Sequence, residues 1–149
     1  MLGNVGHHAG WVGEQVADQP PRIVVIDDTP SSLSLYQRST DSLAVELNAF
    51  LSPRDALTHL GDHDADLVFV DIVMRQKDGG GFLRELRAIA RHRRTEVVVV
   101  TSKDYDQDRA LARQWGVTEY LVKPLRSQEI REIIRRYTMV VETGADPRT

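Results

Sequence analysis

The chain has no cysteine in 149 residues. That excludes a disulfide framework, zinc–thiolate sites and cysteine chemistry, and it fits a reducing compartment. No apolar run approaches the ~20 residues that a membrane-spanning helix needs. No basic start followed by an unbroken apolar stretch opens the chain, so no secretory signal is legible. Positive charge is not in excess either: 19 Lys and Arg face 22 Asp and Glu, a net charge of −3. This removes the bulk electrostatic case for a nucleic-acid partner. What is present, 41% hydrophobic and 28% charged residues, is the balance of an ordinary globular domain, and the length allows one sizeable core. The expectation is a soluble, cytoplasmic protein with no membrane or direct nucleic-acid partner.

Residues 1–21 carry Gly3, Gly6, Gly10 and Gly13 and close on Pro20-Pro21, which reads as a flexible leader. Trp11, Val12 and Val16 could dock as a short helix, and the His7-His8 pair reads as incidental in so glycine-rich a segment. Beyond the leader, strand-length apolar runs alternate with helical patterns. Strands are expected over 22–26, 44–49, 66–70, 96–101 and 119–122. Three are continuous β-branched or aromatic runs, the pattern of strands covered on both sheet faces. The second is mixed and suits an edge. Thr29-Pro30 and Ser52-Pro53 each offer a capping hydroxyl before a proline at the first helical position. Phe82, Leu83, Leu86, Ile89 and Ala90 share one helix face, as do Ile130, Ile133, Ile134 and Tyr137. Leu111 and Trp115 are an i, i+4 pair, and Gly116 is placed to end their helix. The alternating order predicts a parallel α/β sheet with right-handed crossovers and helices on both sides. The domain is expected over 22–138 and a loose tail over 139–149, with no residues left for an output domain.

Chemistry-bearing residues stand where these strands stop. Asp27-Asp28 end the apolar run Ile23 to Ile26, and Asp71 ends the run Leu67 to Val70. Asp78-Gly79 follow seven and eight positions after Asp71, Thr101 follows thirty after it, and Lys123-Pro124 begin fifty-two after it. Tyr120 lies in the same last strand. In open parallel sheets, ligands bind outside the carboxyl ends of the strands. A lone Asp at a strand end is usually a cap or turn residue, and a Lys-Pro dipeptide is common. The combination in this order is what discriminates.

Over roughly Arg22 to Tyr137, the pattern resembles the receiver domain of two-component response regulators, close in outline to single-domain chemotaxis regulators. The resemblance implies a flavodoxin-like (βα)5 doubly wound sheet of order 2-1-3-4-5 and a cis Lys123–Pro124 peptide. It implies that Asp71 is the phosphoacceptor. It also implies that Asp28 and Asp71 coordinate Mg²⁺ directly, Asp27 through water, and the backbone carbonyl of Val73 as a further ligand. The chemistry is consistent. Carboxylates ~4 Å apart repel by about 4 kcal/mol at an effective dielectric near 20, so such a cluster needs a cation or a proton, and hard oxygen donors suit Mg²⁺. A carboxylate can attack phosphorus to form an acyl phosphate, and such transfer needs positioning and charge neutralisation. Lys123 would supply positive charge and Thr101 a hydroxyl, with the small Ser102 leaving room. By the same resemblance Thr101 and Tyr120 switch the surface of the fourth helix, fifth strand and fifth helix, roughly residues 106–137. The implied partners are a sensor histidine kinase or phosphotransfer protein upstream and a protein partner downstream. The resemblance further implies a signalling phosphoacceptor rather than an enzyme on other substrates.

Some residues depart from the family pattern. Arg75 stands where proline is usual, Lys77 where a hydrophobic residue often precedes the Asp-Gly, and Gly79-Gly80-Gly81 is unusually rich in glycine. Val73 and Lys103 occupy places that tune access to the phosphoryl group; Val73 offers no side-chain hydrogen bond to an attacking water, so a long-lived phosphoryl group is expected. Basic clusters at Arg84, Arg87, Arg91, Arg93 and Arg94, and at Arg131, Arg135 and Arg136, read first as solvated helix faces. The second cluster could meet Asp104 or Asp108 of another copy in a homodimer. A haloacid-dehalogenase-type phosphatase would want an acid two residues beyond its nucleophile, where this chain has Val73 or Thr29. A metal-free docking module is disfavoured by retention of the three acids, Thr101 and Lys123. A receiver cut from a longer regulator remains a third alternative.

Overall fold

A computed structural model of the chain describes residues 19–72 and 79–142. The elements are β1 (Arg22–Ile26), α1 (Pro30–Ser39), β2 (Glu46–Phe50), α2 (Pro53–Asp62), β3 (Leu67–Asp71), α3 (Gly79–Ala88), a 3-10 turn (Ala90–His92), β4 (Glu96–Thr101), α4 (Asp106–Gln114), β5 (Glu119–Val122) and α5 (Ser127–Tyr137). All the strand pairs are parallel, in the order β2-β1-β3-β4-β5.

Alternation along each strand divides the core in two. Val24 and Ile26, Val68 and Val70, and Val97 and Val99 face α2, α3 and α4 through Leu60, Phe82, Leu83, Leu86 and Ala112. Ile23 and Val25, Leu67 and Phe69, and Val98 and Val100 face α1 and α5 through Tyr36, Ile130, Ile133 and Ile134. Val97 to Val100 are all fully buried because helices cover both faces of β4. Burying each such side chain stabilises by roughly 1.5–3 kcal/mol relative to exposure. The mixed second strand lies at an edge, as its composition suggested.

Local chemistry sets several helix ends. Ser52 accepts a hydrogen bond from the amide of Asp55 and caps α2, with Pro53 in the first turn. Gly116 ends α4 at φ +68°, a left-handed conformation that glycine adopts without a Cβ clash. Thr29 stands at the start of α1 but makes no side-chain cap. Its hydroxyl donates to Asp27 instead.

Two strands are displaced from their expected bounds. β2 begins at Glu46, where pairing with Arg22 starts; the preceding Ala44 amide donates to the Val141 carbonyl at 2.7 Å, and Leu43 bridges Glu142 in the antiparallel sense. β3 runs one residue further, to Asp71, which pairs with Val100 of β4. The first residues expected in the tail thus lie beside the chain entering β2, with Arg135 paired to Glu142 at 2.6 Å. The expected leader through residue 18, the tail from 143, and Val73, Arg75, Lys77 and Asp78 lie outside the described residues.

Candidate functional site

Register brings the predicted residues to one edge. Ile26 is opposite Val70, Asp71 opposite Val100, and Thr101 opposite Val122. The next residues of β1 and β5, Asp27 and Lys123, therefore emerge beside Asp71 and Thr101. Carboxylate oxygens of Asp27, Asp28 and Asp71 lie within 4.8 Å of one another. Asp27 is 1% exposed and Asp71 6%.

Lys123 bridges the two buried acids. Its Nζ donates to Asp27 Oδ2 at 2.7 Å and to Asp71 Oδ2 at 3.2 Å, and the Lys123–Pro124 peptide is cis. Burial disfavours the ammonium, but the hydrogen bond and charge of Asp27, followed by Asp71, outweigh it and raise the Lys123 pKa above its usual value. The other Asp27 oxygen accepts from the Thr29 amide at 3.0 Å and from the Thr29 hydroxyl. Tyr36 packs beneath on Phe69, with ring centroids 5.1 Å apart. Burial, then the charges of Asp27 and Asp71, push its hydroxyl pKa up, so it stays neutral. Three carboxylates against one ammonium leave excess negative charge at a hard-oxygen site. That donor set fits a divalent cation with oxygen preference.

Thr101 is fully buried. Its hydroxyl donates to the Lys103 carbonyl at 2.8 Å and accepts from the Lys103 amide at 3.1 Å. The Tyr120 hydroxyl is shielded from solvent with no well-formed hydrogen bond among the described residues; the Asp104 carboxylate and the Tyr105 backbone are its polar neighbours. The Arg109 guanidinium sits 4.5 Å from the centre of its ring. Val73, the remaining predicted ligand, lies outside the described residues.

Sequence reasoning read Thr29 as a cap and missed its role on Asp27; the adjacency Asp27-x-Thr29 was the available signal. It did not find Tyr36, Arg109 or Arg87. Arg87, grouped with solvated arginines, is instead half-buried. It donates to the carbonyls of His92, Thr95, Trp115 and Gly116, because α4 ends against α3.

Fold and site together define a flavodoxin-fold module with its acidic centre at the carboxyl edge of a 2-1-3-4-5 sheet. A match to the response regulator receiver domain family spans residues 23–135. The chain belongs to that family and is a receiver domain of two-component signalling. It is 33% identical over 117 residues to a cyclic di-GMP phosphodiesterase response regulator, RpfG, of Xanthomonas campestris, covering 77% of this chain and 31% of that protein. It is 30% identical over 131 residues to a response regulator of Synechocystis, covering 86% of this chain and 56% of that one. The chain thus spans a third to about half the length of these relatives. In fold it resembles the receiver domain of a sensor histidine kinase from Pseudomonas aeruginosa with a magnesium ion coordinated in the active site cleft (TM-score 0.71, 24% identity, covering 79% of this chain and 97% of that one).

Proposed function

We propose that this receiver accepts a phosphoryl group on Asp71, with Mg²⁺ held by Asp27, Asp28, Asp71 and the Val73 carbonyl. The observation that carries the reading is the bridging of Asp27 and Asp71 by Lys123 beside a third carboxylate. An oxygen of Asp71 forms the new bond to phosphorus while the donor's bond to phosphorus breaks and the donor keeps that electron pair. Bound Mg²⁺ would supply charge neutralisation for the phosphoryl oxygens. Lys123 supplies positive charge from the β5 side, and Thr101 exchanges its Lys103 contacts for a phosphoryl oxygen. The chain catalyses only its own phosphoryl transfer and hydrolysis.

The upstream partner in this reading is a sensor histidine kinase or phosphotransfer protein, and the compartment is the cytoplasm. Among the described residues no helix is long and apolar enough to cross a membrane. The signal leaves through α4, β5 and α5, with Thr101 and Tyr120 as the switch pair, toward a downstream protein. A homodimer through this face would draw on Asp108 and Arg131. Asp104, Arg135 and Arg136 are already engaged by Arg109, Glu142 and Glu119. The domain occupies 22–138.

The test is intact mass after incubation with Mg²⁺ and acetyl phosphate. A single phosphoryl adduct on the parent, lost in Asp71→Asn and without Mg²⁺, supports the reading. No adduct on the parent, with the fold intact, refutes it for small phosphodonors.

A further inference from the structure

Five residues form a continuous route from the acidic site to the outer face of the sheet. Thr101 holds both polar groups of the Lys103 backbone with one hydroxyl. The next residue, Asp104, makes a two-point pair with Arg109 of α4: Nε to Oδ1 at 2.7 Å and Nη2 to Oδ2 at 2.9 Å. Such a fork fixes the guanidinium plane as well as its place. The same guanidinium covers the Tyr120 ring at 4.5 Å, a distance at which a cation is attracted to the ring face. The Tyr120 hydroxyl is shielded from solvent with no well-formed hydrogen bond among the described residues, and its polar neighbours are the Asp104 carboxylate and the Tyr105 backbone. What holds this ring is therefore packing, the arginine above it and the Asp104 carboxylate that the same arginine fixes.

We propose that Asp104 and Arg109 are positioning residues that latch Tyr120 in its resting place, and that Thr101 controls the latch through the Lys103 backbone. The inference rests on the receiver reading above for its trigger. When the Thr101 hydroxyl turns to a phosphoryl oxygen, the Lys103 amide and carbonyl lose their partner. The Asp104 carboxylate, one residue on, then loses its fixed anchor. The Arg109 fork opens, and Tyr120 is free to change rotamer. The latch sets how far the ring equilibrium lies toward rest before any phosphoryl group arrives, because a switch moves only by the difference in contacts between its two states.

Fluorine NMR on 3-fluorotyrosine-labelled protein tests this without requiring phosphorylation. The chain has four tyrosines, and Tyr120→Phe assigns the resonance concerned. In unphosphorylated Arg109→Ala and Asp104→Asn, the minor Tyr120 state should rise about tenfold over the parent while the core Tyr36 resonance stays in place. Arg109→Lys, which can reach Asp104 but cannot lay a plane over the ring, should give an intermediate population. A Tyr120 resonance unchanged in all three variants, with Tyr36 native, overturns the latch. Intact-mass phosphorylation by acetyl phosphate, run in parallel, separates the two readings. An adduct with an unmoved Tyr120 resonance refutes the latch alone. A shifted resonance in the unphosphorylated variants supports the latch even where the parent takes no adduct.

Discussion

Arg87 on α3 holds the C-terminal end of α4 through the Trp115 carbonyl, 2.9 Å from its Nε. Its two Nη atoms reach the carbonyls of Gly116, His92 and Thr95 at 3.1, 2.9 and 2.8 Å. One guanidinium thus satisfies carbonyls left open by the end of α4 and by the turn before β4. Arg87→Ala should cost about 3 kcal/mol, given ~1.5–3 kcal/mol for hydrogen bonds to a charged group and the orphaned carbonyls left behind. Arg87→Lys should recover less than half, since an ammonium cannot reproduce the fork. Urea unfolding of the three proteins measures both, and a loss under ~0.5 kcal/mol for Arg87→Ala would contradict this role.

Tyr120→Phe should leave resting stability unchanged or raise it by up to ~1 kcal/mol. The hydroxyl is buried with no well-formed hydrogen bond among the described residues, only the Asp104 carboxylate and the Tyr105 backbone near it, so removing it also removes a desolvation penalty. A loss above ~1 kcal/mol in chemical denaturation would show that the hydroxyl has a partner in solution.

Lys123→Met should destabilise the fold at neutral pH without Mg²⁺, by about 1–3 kcal/mol after allowing for the partial solvent access of the amine. Asp27 and Asp71 would then repel without their shared cation. The pH dependence has a definite sign. The Lys123 pKa is raised above its usual 10.5 in the fold, so its contribution is full below that value and is lost as pH rises through the folded pKa. The stability difference between parent and variant should stay flat from about pH 7 to 10 and shrink above that. A difference that falls between pH 7 and 9 would assign it to another group.

Mg²⁺ should raise the melting temperature in proportion to the logarithm of its concentration, because only the folded chain assembles the three acids. At 100 times Kd the gain is about 2.7 kcal/mol. Asp28→Asn should reduce the gain while leaving the metal-free fold intact, since Asp28 is less buried than Asp27 and Asp71. Equal Mg²⁺ shifts in parent and variant would remove Asp28 from the ligand set.

Much of the chain was readable in one dimension. Strand-end acids, the β-branched runs of β1, β3 and β4, the glycine closing α4 and the proline-led starts of α1 and α2 are local signals. They act through backbone preference and side-chain alternation within a few residues. The bounds of β1, β4 and β5 followed from them directly. The start of β2 did not, because it is set by partners far along the chain: Arg22 pairs with Glu46, while the Val141 carbonyl takes the amide of Ala44. Nor could the sequence place Lys123 nearer Asp27 than Asp71, turn the Thr29 hydroxyl from capping to Asp27, or set Arg87 under the end of α4. Each depends on register and helix packing, which bring together groups separated by up to 96 positions. Which chemistry stands at the strand ends is already written in the order of residues. Which groups neutralise one another there is set by folding, because Coulomb and hydrogen-bond energies depend on distance in space and not on separation along the chain.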